Sequence, residues 1–216
     1  MLNEEVTQNR EDAGFIIAQR LSEYKNGNVV VVAIPHGGVP VGSSLARNLG
    51  VPFEVMPCRK ITHPAEREKT IASVSADEIL LHNTVGIPSD YIYHQTVLLR
   101  NAISRESAYY YGGRPQPDFY NRVVILVDDV LKNADTMLAA LRSIRRKNPI
   151  KIIVAVSVVV LAATPPIIQE ADDFIYLQQV EDNEAAKSFY VNLPKVEDEE
   201  VRDLLNKSND ALICFV

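Results

Sequence analysis

The chain has 216 residues, 47% of them hydrophobic and 23% charged, which is enough to bury the core of one α/β domain without a metal or disulfide staple. Its net charge of -6 argues against non-specific binding to nucleic acids or to anionic membranes. Cys58 and Cys214 lie far apart without metal-ligand spacing, residues 1–10 lack a signal-peptide core, and the longest apolar stretch is too short to cross a bilayer. These features predict a reduced, cytoplasmic protein.

The first elements follow from helical and continuous apolar patterns. Apolar residues at helical spacing predict an amphipathic helix from Thr7 to Tyr24. The apolar run from Val29 to Ile34 predicts a buried central strand. It is followed by the tight loop Pro35–Gly38, a helix from about Pro40 to Asn48, and a strand over Phe53–Met56.

The next part of the chain is more polar. Arg59–Thr70 is predicted to be a surface loop or flap, because it is the most polar segment of the first half. Ile71–Ser75 and Glu78–Leu81 alternate well enough to predict a short hairpin, so residues 59–81 form a flap and hairpin. A long helix from Ser89 to Tyr110 is expected next, ended by a Gly-Gly pair.

Strand and helix patterns alternate through the second half. The predicted elements are a strand at Val123–Val127, a helix at Ala134–Lys147, a strand at Ile150–Val160, a short helix near Pro165, a strand at Phe174–Leu177 and a helix at Glu197–Asn206. This alternation predicts an α/β fold with a mostly parallel sheet and helices on both faces.

Two adjacent carboxylates, Asp128 and Asp129, follow the buried strand Val123–Val127 directly. In an open α/β sheet, ligands bind at the carboxyl ends of the strands. The loop that follows presents backbone N–H groups and a helix N-terminus, which suit an anion. Two acids beside an anion site predict a polyol phosphate, with the acids holding hydroxyls directly or through Mg²⁺.

The segment from Val123 to Met137 resembles the signature of the type I phosphoribosyltransferases, which bind phosphoribosyl pyrophosphate (PRPP). The resemblance implies that Asp128 and Asp129 hold the ribose 2′ and 3′ hydroxyls and Mg²⁺, with Asp129 favoured for assisting a proton transfer. It assigns the 5′-phosphate to the loop made of Leu131, Lys132, Asn133, Ala134, Asp135 and Thr136.

That loop departs from the family pattern at three positions, because Asn133, Ala134 and Asp135 replace a Thr, a Gly and a small neutral residue. The Cβ of Ala134 costs on the order of 1 kcal/mol if the loop needs positive φ. A carboxylate about 4 Å from a phosphate costs roughly 1 to 4 kcal/mol per charge pair, which Lys132 would offset in part. The alternative is that Asn133 is a plain helix N-cap, with Asp135 favoured by the helix dipole.

A second anion-binding segment is Pro35–Gly38, in which Gly37 and Gly38 let the backbone approach a ligand. It resembles the Pro-Arg-Gly-Gly-Val-Pro-Val form of a bacterial group of predicted phosphoribosyltransferases, which implies pyrophosphate binding. His36 replaces the Arg of that form, so binding is expected to weaken at neutral pH. The alternative for His36 is a hydrogen bond to a neighbouring carbonyl.

Arg59 and Lys60 begin the polar loop. The resemblance assigns them to pyrophosphate or to flap closure, and the alternative is a bland surface pair. A basic cluster at residues 142–147 is interpreted as a solvated helix face.

Further short matches extend the resemblance over nearly the whole chain, at Glu11–Gly14, Tyr111–Pro115 and Phe189-Tyr190, with a shortened segment before Pro194. Residues 1–216 are therefore expected to form one phosphoribosyltransferase-like domain, with residues 178–216 as a C-terminal cap.

Three functions follow from these patterns. The leading hypothesis is transfer of phosphoribosyl from PRPP to a nitrogenous acceptor that the sequence does not identify, with activity weakened or lost. The first alternative is a non-catalytic ligand-binding or regulatory protein on the same fold. A nucleic-acid-binding regulator is the weakest, because it needs a contiguous basic face. A homodimer is expected from the resemblance.

Overall fold

The structure is a computed structural model that describes residues 9–67, 69–114, 118–189 and 194–213. Runs of Val and Ile form its longest buried strands, because β-branched side chains pack well on a pleated surface. In chain order the strands are β1 (Val29–Ala33), β2 (Phe53–Val55), β3 (Arg59–Thr62), β4 (Thr70–Val74), β5 (Ile79–Leu81), β6 (Val123–Leu131), β7 (Lys151–Val160) and β8 (Asp173–Val180).

Five of these strands form one sheet in the order β2-β1-β6-β7-β8, and every neighbouring pair is parallel. The predicted parallel sheet is thus confirmed. β1 ends at Ala33, opposite Val127 of β6, whereas β6 stays paired with β7 as far as Leu131. The prediction that the acidic strand ends at Val127 was therefore wrong, because β7 continues to supply hydrogen-bond partners beyond the acids.

Helices cover both faces of this sheet. They are α1 (Arg10–Arg20), α2 (Gly38–Leu49), α3 (Ser89–Tyr111), α4 (Asp135–Arg145), α5 (Thr164–Glu170), α6 (Asn183–Phe189) and α7 (Asp198–Ile213). One face packs Val31 and Ile125 beneath α1, α2 and α7, and the other packs Val124 and Val154 beneath α4 and α5. The alternation of side chains along each strand thus yields two cores, as the sequence predicted.

β3, β4 and β5 form a separate antiparallel sheet. The prediction of a loop over Arg59–Thr70 was wrong at its start, where β3 lies. Only one of the four residues in β3 is buried: Ile61 pairs with Ala72 and packs among Ile71, Val74 and Ile103. The exposed positions of β3 made the segment too polar to identify as a strand.

One of the two edge strands of the five-stranded sheet, β2, is covered by side chains. The hydroxyl of Tyr111 accepts from Val55 N at 3.0 Å and donates to Val55 O at 2.9 Å. The amide of Asn209 likewise accepts from Phe53 N at 3.0 Å and donates to Phe53 O at 2.7 Å. Two helices thereby satisfy the outward backbone groups of the edge strand.

Some boundaries and predictions differ from the structure or lie beyond it. The first helix begins at Arg10, after the extended N-cap Asn9, and ends at Arg20 before a short 3₁₀ turn at Ser22–Tyr24, so its predicted bounds were too wide. The helix α6 was not predicted. The predictions at Pro115, Tyr190 and Cys214 fall outside the described residues. In the described ranges, no helix is both long and apolar enough to cross a membrane.

Candidate functional site

The acidic pair lies on β6, just beyond the end of β1. Each carboxylate accepts from the backbone amide of the next residue, because Asp129 N donates to Asp128 Oδ1 and Val130 N to Asp129 Oδ1, both at 2.8 Å. Removal from solvent, and then the neighbouring Asp129 carboxylate, raise the pKa of Asp128 well above its usual range.

The glycine loop between β1 and α2 packs directly on these acids. A Cβ on Gly37 would lie 2.1 Å from Oδ2 of Asp129, and a Cβ on Gly38 would lie 2.9 Å from the carbonyl oxygen of Val127. The two glycines thus let the loop pack against the protein's own acidic segment. The sequence analysis had instead expected them to let the backbone approach a ligand. Because α2 begins at Gly38, its positive end also faces the acids.

Arg10 is a member of this site that the sequence reasoning missed. Its Nε donates to Asp129 Oδ2 at 2.8 Å, and one of its terminal nitrogens donates to the carbonyl oxygen of Pro194 at 2.8 Å. In the sequence, Arg10 directly precedes the short family match at Glu11–Gly14, and this position was the one sign that it could belong to the site. Nothing in that local sequence shows that the side chain reaches a residue 119 positions away.

The loop after β6 is held by Lys60. Nζ of Lys60 donates to Oδ1 of Asn133 at 2.9 Å, and α4 begins at Asp135 without a side-chain cap. The prediction of Asn133 as the N-cap was therefore wrong, because its amide oxygen is turned toward the cation on β3. Burial lowers the pKa of Lys60, and the charges of Asp135 and Asp128 offset part of that effect.

The other loop residues have different surroundings. Asp135 lies 3.6 Å from Nε2 of His82, and Ser73 Oγ approaches the same nitrogen at 3.2 Å. A Ser-His-Asp triad requires the serine and the aspartate to contact different ring nitrogens, so these three residues do not form one. Leu131 and Ala134 are buried in the core beside α4, and Thr136 is half-buried.

His36 and Arg59 belong to a second cluster of charges. Nε2 of His36 lies 2.8 Å from Oδ1 of Asp198, and Tyr110 donates to the same oxygen at 2.6 Å. Arg59 donates to Glu106, which also lies within hydrogen-bond distance of Tyr110. The hydrogen bonds from Tyr110 and His36 lower the pKa of Asp198.

This cluster corrects one alternative, because His36 contacts a carboxylate and not a neighbouring carbonyl. Arg59 is exposed, as its alternative expected, and forms an ion pair with Glu106. Arg59 contacts Glu106 and Lys60 contacts Asn133, because successive side chains of a strand point to opposite faces.

The ligand atoms of His36, Glu106 and Asp198 lie within 4.8 Å of one another, so in the described residues they are a possible metal-binding group. Arg59 and Tyr110 already satisfy its two carboxylates. The basic cluster at residues 142–147 is similarly neutralised, since Arg142, Arg145 and Arg146 pair with Glu170, Asp172 and Glu78.

A cavity of about 400 Å³ opens beside the acidic pair. Its lining includes Arg10, His36, Gly37, Asp128, Asp129 and Lys132. The structure therefore brings together the acids, part of the glycine loop and one cation of the second loop. Asn133, Asp135, Arg59 and Lys60 lie outside this lining.

Known proteins resemble this chain in sequence and in fold. A family model described as "Phosphoribosyl transferase domain" matches residues 3–192. Two Mycobacterium tuberculosis proteins named "Putative phosphoribosyl transferase" are 30% identical over 154 residues, which cover 69% of this chain and only 35% of each relative. The crystal structure of TT1426 from Thermus thermophilus superposes with a TM-score of 0.78 at 27% identity, covering 93% of this chain and 97% of that one.

Proposed function

Because the chain belongs to the phosphoribosyl transferase domain family, we propose that its cavity binds a phosphorylated ribose of the PRPP type and supports phosphoribosyl transfer to a nitrogenous acceptor with release of pyrophosphate. The observation that carries the proposal is the meeting of Asp128, Asp129, Gly37 and Lys132 around one cavity. Carboxylate oxygens accept hydrogen bonds from sugar hydroxyls, and Lys132 supplies a cation for phosphate.

Asp128 is the better candidate for a proton acceptor. Burial and the neighbouring carboxylate raise its pKa above that of an ordinary aspartate, so it holds a transferred proton more strongly. Asp129, which the sequence favoured for this role, is bound to the permanent cation Arg10. We therefore assign Asp129 to orientation of the ribose and Asp128 to proton transfer.

Magnesium is part of the proposal because the family resemblance implies it. Asp128 accepts from the backbone amide of Asp129 and lines the cavity, so its carboxylate fits an ion that prefers oxygen ligands. Asp129 fits less well, since Arg10 contacts its Oδ2. When bound, such an ion would supply positive charge to the departing pyrophosphate.

The second candidate is a non-catalytic ligand-binding protein on the same fold. Two contacts favour it, since Asn133 is bonded to Lys60 and His36 to Asp198. Side chains that the resemblance assigns to the 5′-phosphate and pyrophosphate are thereby engaged with other parts of the protein. The cytoplasmic location and the homodimer stay predictions.

Calorimetric titration with PRPP, with Mg²⁺ and with EDTA, tests the site. The Asp128→Asn/Asp129→Asn variant is expected to lose at least about 100-fold in affinity, which corresponds to roughly 2.7 kcal/mol. The matched control is Asp172→Asn/Asp173→Asn, a second adjacent pair that lies at the start of β8. Equal PRPP binding by the wild type and the first variant would show that the site is elsewhere.

Release of pyrophosphate separates the two candidates. The wild type is incubated with PRPP, Mg²⁺ and a panel of nitrogenous bases, and pyrophosphate is assayed. Release that depends on one base and on Asp128 supports the transferase. Tight PRPP binding without release for any base in the panel supports the binding protein.

A further inference from the structure

Arg10 and Asp129 form an ion pair in the wall of the cavity, with Nε and Oδ2 separated by 2.8 Å. Their side chains are only 15% and 14% exposed. Solvent therefore screens this pair much less than an ordinary surface ion pair, and the guanidinium charge acts on Asp129 at close range.

The backbone behind Arg10 is fixed. Arg10 is the first residue of α1, whose N-cap Asn9 accepts from Asp12 N at 2.9 Å. α1 lies so close to α2 that a Cβ on Gly14 would be 2.3 Å from the carbonyl oxygen of Val41. Since Pro194 also accepts from the guanidinium, the charge is held in place from two sides.

The carboxylate of Asp129 is enclosed as well. Oδ1 accepts from Val130 N, Oδ2 accepts from Arg10, and Gly37 packs against the whole group. A divalent ion bound to either oxygen would lie about 2.0 to 2.6 Å from it. Such an ion would be adjacent to a permanent cation, and the two like charges would repel each other.

We propose that Arg10 occupies the cation position at Asp129 and excludes a divalent ion from this carboxylate. Its meaning for ligand binding rests on the proposed function: Asp129 would meet a ribose as an acceptor already neutralised by the chain, and only Asp128 would be left for an ion. Arg10 is thus a positioning residue that sets which of the two acids binds metal.

Titration of the protein with Mn²⁺ alone, followed by electron paramagnetic resonance, tests the exclusion. Arg10→Met is expected to bind Mn²⁺ at least about tenfold more tightly than the wild type, or roughly 1.4 kcal/mol. The gain should disappear in Arg10→Met/Asp129→Asn. Arg10→Lys, which keeps the charge, and Arg20→Met, on the same helix with its guanidinium bonded to Tyr176 O, should bind like the wild type.

Two results would overturn the inference: a folded Arg10→Met with unchanged Mn²⁺ affinity, or a gain that survives Asp129→Asn. Arg10→Gln replaces Arg10→Met if the latter does not fold. Because the titration contains no sugar phosphate, its result stands apart from the proposed function. Failure of the wild type to bind ribose 5-phosphate or PRPP would overturn that function and leave the Mn²⁺ result in place.

Discussion

The glycine loop after β1 and the loop after β6 follow neighbouring parallel strands, yet their close contacts differ in kind. Gly37 and Gly38 have no space for a Cβ, because Asp129 and the backbone of Val127 lie against them. Ala134 in the second loop has its Cβ buried in the core, at 7% exposure. Glycine in the first loop is therefore required by the protein itself, whereas the second loop accommodates the alanine side chain in the core.

The largest effect is expected for Gly38→Ala. Its Cβ would press on backbone atoms, which cannot rotate away, so the free energy of unfolding should fall by about 1 to 3 kcal/mol. The matched change in the second loop is Ala134→Gly, expected to cost about 0.5 to 1 kcal/mol. Urea unfolding of both variants measures the difference. Equal losses would show that the two loops are equally tolerant.

Asp135→Asn is expected to have the next largest effect. Removing this carboxylate from the loop should tighten ribose 5-phosphate binding by about tenfold, or roughly 1.4 kcal/mol, since it eliminates one charge repulsion. Asp90→Asn is the control, because Asp90 occupies the first turn of α3 as Asp135 does that of α4. Unchanged affinity would mean that Lys60 and His82 already compensate the charge.

Lys60→Met should have a smaller effect of opposite sign. The variant removes the cation that holds Asn133 and attenuates Asp135, so ribose 5-phosphate should bind about threefold to fivefold more weakly, or under roughly 1 kcal/mol. Lys69→Met is the control, because Lys69 pairs with Glu66 in the β3–β4 connection. If both variants bind alike, the Lys60–Asn133 contact has no part in holding the second loop.

The smallest effect concerns the pH dependence of the contact between His36 in the glycine loop and Asp198 at the start of α7. The pKa of Asp198 is lowered in the folded state, so its contribution to stability is present above the ordinary value of 3.8 and is lost as pH falls through the lower folded pKa. Between pH 5 and 3 the melting temperature should therefore depend less on pH in Asp198→Asn than in the wild type. The difference is expected to be small, because the carboxylate is 59% exposed. If the melting temperatures of both proteins change equally with pH, the His36–Asp198 contact makes no pH-dependent contribution to stability.

The parallel sheet could be predicted because its central strands are apolar runs, as at Val29–Ala33 and at residues 152–160, where Ser157 is the one polar residue. β3 could not, because one inward Ile61 among exposed polar residues gives no clear period. α6 is only seven residues long, which is too short for a helical pattern to emerge.

The parts of the site that directly follow a strand of the parallel sheet could be predicted from the sequence. The carboxyl ends of adjacent parallel strands must meet, so Gly37 and Asp129 were expected at one edge of the sheet. Contacts between distant segments are different: Arg10 reaches Asp129, and Asp198 reaches His36, only because helices from both ends of the chain converge on that edge. Asn133 was misassigned for the same reason, since its partner Lys60 lies 73 residues earlier.

The coverage of β2 has a consequence for self-association. An uncovered edge strand is a template on which another chain can add a strand, and proteins that leave one open risk aggregation. Here the hydroxyl of Tyr111 and the amide of Asn209 imitate the peptide groups of a missing neighbour. Neither a second copy nor an extended peptide can lengthen the sheet at this edge without first expelling those two side chains. Asn209→Leu would uncover the backbone groups of Phe53, while Tyr111 would still cover those of Val55.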